Sequence, residues 1–254
     1  MNYYIRELKI LTESELLGIC DLWSSSFGDD KEFITSFYEK MPVHSTVCCF
    51  FEDIPVSMAV LLRVGSAYYG YAVCTLESHR RKGLCRLIHN YIREKCEAEG
   101  IEYFVHPASE ELSAYYLKLG MKPVLSYFEV RTISFDKETV LDSSPEEYAR
   151  IRDLYFGGNN YYPWDVSALQ FMKDNGVSFK TAFICGCECG CALEGNTIIE
   201  LCAPEYLSGN ASSAFLLGSG KLGNVRFFTE VNHIDNTALL SFSGNSAYFN
   251  LFFE

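Results

Sequence analysis

The amino-acid sequence predicts a mixed α/β (α+β) fold with two similar domains, each a mixed, mostly antiparallel sheet flanked by helices. Two observations predict it. Three strand-like runs in succession precede a helical segment, so neither half shows the strict strand–helix alternation of a doubly wound sheet. The order of helices, three strands, helix, strand, helix and strand also occurs twice, as an internal repeat of about 110 to 130 residues.

Helix caps and turn residues divide the first half into elements. Thr12 and Glu15 have the spacing of a capping box, which predicts that a helix begins there and ends near Gly28. The other predicted elements are strands over 3–11, 46–52, 56–64, 67–76 and 101–106, helices over 29–41, 83–100 and 109–120, and one or two strands over 123–135.

The second half begins with an equally clear helix start. Ser144, Pro145 and Glu147 suit the N-cap, first and third positions of a helix, and the polar segment 137–144 is predicted to be a linker. The elements predicted after it are helices over 145–156, 165–175, from about 209, and over 235–242, and strands over 179–185, 190–194, 196–202, 224–231 and 246–254.

Composition and charge exclude several classes of function. The net charge of −12 argues against a nucleic-acid partner, whose phosphates require lysine and arginine. No apolar run is long enough to span a bilayer, so no membrane partner is expected. The N-terminal segment carries charges where a signal peptide is apolar, which predicts a cytoplasmic protein whose 11 cysteines are reduced.

A phosphate-binding turn is predicted between the strand at 67–76 and the helix that follows. Arg80, Arg81 and Lys82 supply positive charge, and Gly83 lets a phosphate approach the backbone at the start of the helix. The segment lacks the glycine spacing of a Walker loop and of a dinucleotide-binding fingerprint. It therefore predicts a pyrophosphate site of another kind.

Two segments resemble the signatures of the GNAT N-acetyltransferases. Residues 80–85, RRKGLC, resemble the acyl-CoA-binding motif Gln/Arg-x-x-Gly-x-Gly/Ala, with Cys85 at the last small position. Residues 116–121, YLKLGM, resemble the downstream Tyr-x-x-x-Gly-Phe signature. The resemblance covers residues 1–136 and implies a catalytic, acyl-CoA-binding GNAT domain. The residues that it implies for binding acetyl-CoA are Val73, Cys74, Thr75, Arg80, Arg81, Lys82, Gly83, Leu84, Cys85 and Ser109.

The resemblance also implies catalytic roles. It implies that Tyr116 donates a proton to the departing CoA thiolate. The neighbouring Tyr115 is expected to have only a packing role. The base that accepts the proton of the amine is predicted to be Glu77, with His79 and His106 as alternatives, because all three lie near strand ends beside the expected cleft.

The second half, 145–254, is predicted to be a degenerate GNAT-like copy. It is expected to pack on the first half and to help form one side of the acceptor site. Its Gly209 and Ala211 align with the glycine and small residue of the first half, but residues 206–208, YLS, replace the basic residues. Aligning Gly244 with Gly120 places Leu240 where the tyrosine would be. The aromatic loop 159–164 has two interpretations, a packed patch or a wall facing the substrate.

Four cysteines at alternate positions, Cys185 to Cys191, raise the question of a metal site. The repeat places them on a hairpin whose turn is predicted at 186–189. Four thiolates on one tight hairpin converge poorly on a tetrahedral metal, so no metal is expected.

Together these observations predict an acetyl-CoA-dependent N-acetyltransferase that transfers the acyl group directly to a primary amine of a small molecule or a protein. The alternative is a non-catalytic acyl-CoA-binding or interaction protein on the same fold. Acetyl-CoA and an amine acceptor are the partners expected, and the sequence fixes neither the acceptor nor the oligomeric state.

Overall fold

The computed structural model describes residues 2–132, 139–158, 161–217, 223–229 and 236–243. The chain forms two compact units, Met1–Lys122 with Leu240–Gly244, and Pro123–Leu239 with Asn245–Glu254. Each unit combines a mixed sheet with helices, which confirms the predicted fold class. No helix within the described part of the chain has the length and apolar character needed to cross a membrane.

The first unit follows the predicted order of elements. They are β1 (Tyr3–Leu8), α1 (Glu13–Phe27), α2 (Lys31–Lys40), β2 (Val43–Phe51), β3 (Ile54–Val64), β4 (Ala67–Thr75), a short 3-10 helix (Glu77–His79), α3 (Leu84–Glu99), β5 (Glu102–Val105) and α4 (Glu110–Lys118). Strands β1 to β4 pair antiparallel in sequence order, and β5 pairs parallel to β4.

Local side-chain chemistry fixes where α1 begins and ends. The side chain of Thr12 accepts a hydrogen bond from the backbone N–H of Glu15, whose carboxylate accepts one from the N–H of Thr12 at 2.9 Å. Gly28 follows the helix at φ +86°, a left-handed conformation that favours glycine. The predicted capping box and helix end are both confirmed.

Strand β4 has a bulge just after the last residue that pairs with β5. Ala72 has φ +48°, and the pairing with β3 skips from Tyr71 to Cys74. Parallel pairing with β5 ends just before the bulge, at Gly70 opposite Val105. Strand β5 ends at this pair, so the residues of β4 after Gly70 are not paired with β5.

The second unit repeats this arrangement. Its elements are β6 (Lys122–Thr132), β7 (Leu141–Asp142), α5 (Pro145–Phe156), α6 (Val166–Asp174), β8 (Val177–Ile184), β9 (Cys187–Glu194), β10 (Thr197–Cys202), a 3-10 helix (Glu205–Leu207), α7 (Ser208–Leu217), β11 (Gly223–Thr229) and β12 (Asn236–Ser241). Strand β10 pairs antiparallel with β9 and parallel with β11, as β4 does with β3 and β5. It also has an irregularity at Ile199, the counterpart of the bulge in β4.

Two strands belong to units other than the predicted ones. Strand β6 was expected to complete the first half, but it pairs antiparallel with β11 in the second unit, with Phe128 opposite Phe227. The end of β12 lies in the first unit instead, where Leu240 pairs with Val105 of β5. The first unit therefore comprises Met1–Lys122 and Leu240–Gly244, whereas the sequence predicted a first domain of residues 1–136.

The prediction of a helix over 235–242 is wrong, because Asn236–Ser241 form strand β12. A short apolar run is compatible with a helix or a strand. Here the pairing with β5 and the burial of Leu240 favour the strand. The proposed equivalence of Leu240 with Tyr116 fails with it, since one lies on a strand and the other on a helix.

Part of the predicted linker forms β7, which pairs with β8. The predicted terminal strand 246–254 and residues 159–160 lie outside the described residues.

The cysteine hairpin turns earlier than predicted. Cys185 and Gly186 form a two-residue turn with φ values of +51° and +82°, and Ile184 pairs with Cys187. A two-residue turn with positive φ at both positions matches the twist of the strands, so the shorter connection is preferred. Cys189 and Cys191 are consequently buried on β9. Among the described residues, no group of three or more potential ligands could hold a metal ion.

Candidate functional site

A cleft of about 900 Å³ lies in the first unit, beside the end of β4 and the start of α3. On β4 it is lined by residues after the last pair with β5, and α4 contributes its other side. The predicted cofactor-binding residues that line it are Val73, Cys74, Thr75, Arg80, Arg81, Lys82, Gly83, Leu84 and Cys85. Ser109 does not line it. Its hydroxyl caps α4 by accepting a hydrogen bond from the N–H of Leu112 at 3.2 Å.

The start of α3 can receive an anion at one end of this cleft. Gly83 is the N-cap residue at φ +80°, and no side chain caps the helix, so its first N–H groups are open to a ligand. Arg81 also has a positive φ, +61°, which places two left-handed residues in one short turn. The turn is therefore shaped for close backbone approach rather than for side-chain packing.

The described lining of the cleft is basic and includes no aspartate or glutamate. Arg86 and Lys118 join the three predicted basic residues there, and the guanidinium of Arg86 lies 3.5 Å from where a Cβ on Gly83 would be. In a chain of net charge −12, this local excess of positive charge indicates a polyanionic ligand. Sequence reasoning missed Arg86 and Lys118, because only the fold brings the ends of α3 and α4 to the same cleft.

Tyr116 lies on α4, between the cleft and the hydrophobic core of the first unit. Its side chain is only 4% exposed, and its ring lies edge to face with His89 at a centroid distance of 5.3 Å. Burial is the main cause that raises the pKa of Tyr116, and the nearby thiol of Cys85 adds to it, so the phenol is protonated at neutral pH. Tyr116 is among the residues that line the cleft, and its hydroxyl makes no hydrogen bond to another described residue.

Tyr115 also lines the cleft, although it was expected only to pack. It is half-buried, it contacts the hydrophobic core, and it interacts with the thiol of Cys85. Burial raises the pKa of both Tyr115 and Cys85, so both groups are protonated at neutral pH. The cleft thus holds two phenols close to the thiol of Cys85.

The three predicted bases have different positions. Glu77 does not line the main cleft, but it lines an adjoining recess of about 520 Å³ that shares Ser26 and Arg80 with it. His79 lines the cleft itself, and its Nδ1 lies 3.1 Å from the hydroxyl of Tyr3. His106 directly follows β5 and is half-buried.

The equivalent region of the second unit has different chemistry. Residues 203–211, which connect β10 to α7 and form the first turn of α7, include no lysine or arginine. Beside the irregularity in β10, the carboxylate of Glu200 forms a fully buried ion pair with Arg152 at 2.7 Å. The hydroxyl of Tyr148 donates a further hydrogen bond to Glu200 at 2.6 Å. The bulge is retained here without basic residues at the helix start.

Comparisons with known proteins identify the fold. Neither a family model nor a curated protein matches the sequence. Among solved structures, a conserved protein of unknown function from Enterococcus faecalis V583, described as a probable N-acyltransferase, is 10% identical. That match covers 95% of this chain and 72% of the other, with a TM-score of 0.68.

Two further structures extend this similarity. A GCN5-related N-acetyltransferase from Anabaena variabilis is 11% identical over 94% of this chain and 70% of its own, with a TM-score of 0.66. A tandem GNAT protein from the clavulanic acid biosynthesis pathway is 8% identical over 94% of this chain and 97% of its own, with a TM-score of 0.58. At such low identity the similarity establishes the fold, which consists of two GNAT-like halves in tandem.

Proposed function

We propose that this tandem GNAT fold is an acetyl-CoA-dependent N-acetyltransferase whose first unit transfers the acetyl group directly to a primary amine. The observation that carries the proposal is the cleft beside the end of β4, where β4 is no longer paired with β5. It has the positively charged start of α3 at one end and the protonated hydroxyl of Tyr116 in its wall.

The cleft suits the different parts of CoA. The pyrophosphate would bind the N–H groups at the start of α3, with Arg81 and Lys82 adding charge. Residues Val73–Thr75 follow the bulge and no longer pair with β5, so their backbone groups can hydrogen-bond the amides of pantetheine. The thioester would then lie between β4 and Tyr116.

The proposed reaction is a direct transfer. The neutral amine attacks the thioester carbonyl, and the tetrahedral intermediate collapses by breaking the carbon–sulfur bond. Tyr116 donates its proton to the departing thiolate. Holding amine and thioester together in one cleft supplies much of the rate by proximity.

We propose Glu77 as the group that accepts the proton of the amine. Its exposed carboxylate lines the recess that joins the cleft at Ser26 and Arg80, so a bridging water could link it to an amine there. His79 is the alternative within the cleft, although its Nδ1 is already close to Tyr3. The effect of Glu77→Gln compared with that of His79→Gln on the pH profile of kcat distinguishes the two.

The second unit is proposed to be non-catalytic. Its counterpart of the acyl-CoA turn lacks the basic residues, and its bulged strand carries the buried Glu200–Arg152 pair instead. We expect one acetyl-CoA to bind per chain.

The test is the release of free thiol from acetyl-CoA with a panel of small amines and peptide amines, together with calorimetric titration of CoA. The proposal predicts binding of one CoA and thiol release that depends on one class of amine. If CoA binds and none of the amines is acetylated, the chain is an acyl-CoA-binding module instead. If CoA does not bind, both assignments are wrong.

A further inference from the structure

His89 lies behind Tyr116 and has no role in the proposed reaction. It is on α3, one turn after Cys85, and it is fully buried. Two residues before it, the aliphatic Leu87 is 44% exposed, whereas the fully buried position belongs to His89. A histidine therefore occupies a core position where an aliphatic side chain would avoid burying polar atoms.

The imidazole has a hydrogen-bond partner at only one of its two ring nitrogens among the described residues. Its Nδ1 lies 3.3 Å from the hydroxyl of Tyr103, whereas its buried Nε2 has no hydrogen-bond partner among the described residues. Burial lowers the pKa of His89 to about 4, so the ring is neutral at physiological pH. A buried polar atom without a partner is uncommon in proteins and calls for an explanation.

Tyr103, the partner of His89, is itself fixed against Gly70 of β4. A Cβ on Gly70 would lie 2.3 Å from the hydroxyl of Tyr103, so only glycine admits that hydroxyl at this position. Gly70 is also the last residue of β4 that pairs with β5. A continuous set of contacts thus runs from β4 through Tyr103 and His89 to the ring of Tyr116.

The direction of the Tyr116 hydroxyl depends on this set of contacts. Because the hydroxyl makes no hydrogen bond to the described residues, its position and direction follow from the helix that carries Tyr116 and from the packing of the ring. Within its hydrophobic cluster, the aromatic neighbours of the ring among the described residues are His89, at 5.3 Å and an interplanar angle of 80°, and Tyr115, at 5.8 Å and 60°. Edge-to-face contacts of this kind favour one ring orientation over others.

We infer that His89 is a positioning residue, which fixes the orientation of the Tyr116 ring so that its hydroxyl points at the departing sulfur of CoA. The inference rests on the proposed function, since the orientation affects turnover only if Tyr116 is the acid. His89 itself touches neither substrate and transfers no proton.

The kinetic test is a double-mutant cycle between His89→Leu and Tyr116→Phe. His89→Leu should lower kcat about tenfold with KM for acetyl-CoA within about twofold, because a misaligned acid loses rate and leaves binding intact. In the Tyr116→Phe background, His89→Leu should not lower kcat any further. His89→Phe, which keeps an aromatic ring, should restore most of kcat. Ile92→Ala, a larger packing change at another fully buried position of α3, is the control and should leave kcat near the wild-type value.

A spectroscopic test separates this inference from the proposed reaction. In protein labelled with 3-fluorotyrosine, the fluorine signal that disappears in Tyr116→Phe reports the surroundings of Tyr116. His89→Leu should shift or broaden that signal, and Ile92→Ala should not. An unchanged signal, or a loss of kcat that is as large in the Tyr116→Phe background, overturns the role of His89. A wild-type protein that binds CoA without acetylating any amine overturns the reaction, and the fluorine measurement still decides whether His89 positions Tyr116.

Discussion

The guanidinium Nε of Arg80 donates a hydrogen bond to the backbone carbonyl of Thr75 at 3.1 Å, across the turn that joins β4 to α3. The first basic residue of the turn is therefore anchored to the end of β4, with its charge at the cleft. Arg80 should hold the turn in shape as well as attract phosphate.

Arg80→Ala should raise the dissociation constant for acetyl-CoA by about tenfold, the effect of losing one charge-assisted hydrogen bond. Calorimetric titration measures it. Arg63→Ala is a matched control, because the Nε of Arg63 also donates to a backbone carbonyl, that of Gly65 at 2.9 Å, away from the cleft. Equal affinity in the wild type and both variants would show that the ligand does not use this turn.

Gly83→Ala should weaken acetyl-CoA binding and also destabilise the fold. A Cβ at φ +80° costs about 1 to 2 kcal/mol, and here it would project beside Arg86, at the open start of α3. Gly28→Ala introduces the same strain at φ +86°, with no atom within 4 Å and outside the cleft. Urea unfolding should show similar losses of stability in both variants, whereas only Gly83→Ala should raise KM for acetyl-CoA. A parallel rise in KM in both would assign the effect to general destabilisation.

Burial of neutral His89 should make the stability of the first unit depend on pH. Its pKa falls from 6.5 in the unfolded chain to about 4 in the fold, so the unfolded state binds more protons between these values. The stabilisation is complete above pH 6.5 and decreases as the pH falls toward 4, by about 2 to 3 kcal/mol at pH 4.5. Urea unfolding at pH 7.5 and 4.5 should show a smaller decrease for His89→Phe than for the wild type. An equal decrease in both would place His89 in a solvated environment.

The buried ion pair of the second unit should be costly to break from one side. Glu200→Ala leaves the guanidinium of Arg152 buried without this counter-charge, and we expect a loss of about 3 to 5 kcal/mol in the free energy of unfolding. Arg150→Ala on the same helix removes the exposed pair with Glu188 and should cost no more than about 1 kcal/mol. Chemical denaturation of both variants checks the contrast. Similar small losses would mean that the Glu200 pair is hydrated.

Local signals in the sequence predicted much of this structure. The capping box at Thr12, the cap at Ser144 and the glycine before α3 depend only on neighbouring residues, and each helix begins where its cap indicates. The same holds for the turn that lines the cleft, since its charge and its glycine lie within four consecutive residues, Arg80–Gly83.

What depends on distant partners was not predictable from a single sequence. An extended segment does not specify which strand it joins, so β6 and the end of β12 were assigned to the wrong halves. Arg86, Lys118 and His89 are ordinary helix residues until the fold brings α3, α4 and β5 together. Likewise, the cysteine hairpin was placed correctly, but its turn was set by backbone conformation at Cys185 and Gly186.

Transfer of a labelled acetyl group to an amine by the wild type, Tyr115→Phe and Tyr116→Phe is the measurement that tests the central claim most directly. Mass spectrometry of the amine after incubation with isotope-labelled acetyl-CoA follows the product itself. We expect Tyr116→Phe to lower kcat by about 100-fold or more, the usual contribution of a general acid, while Tyr115→Phe stays within about threefold of the wild type. Equal rates in all three proteins would contradict the assignment of Tyr116, and the absence of labelled amine from the wild type would contradict acetyl transfer altogether.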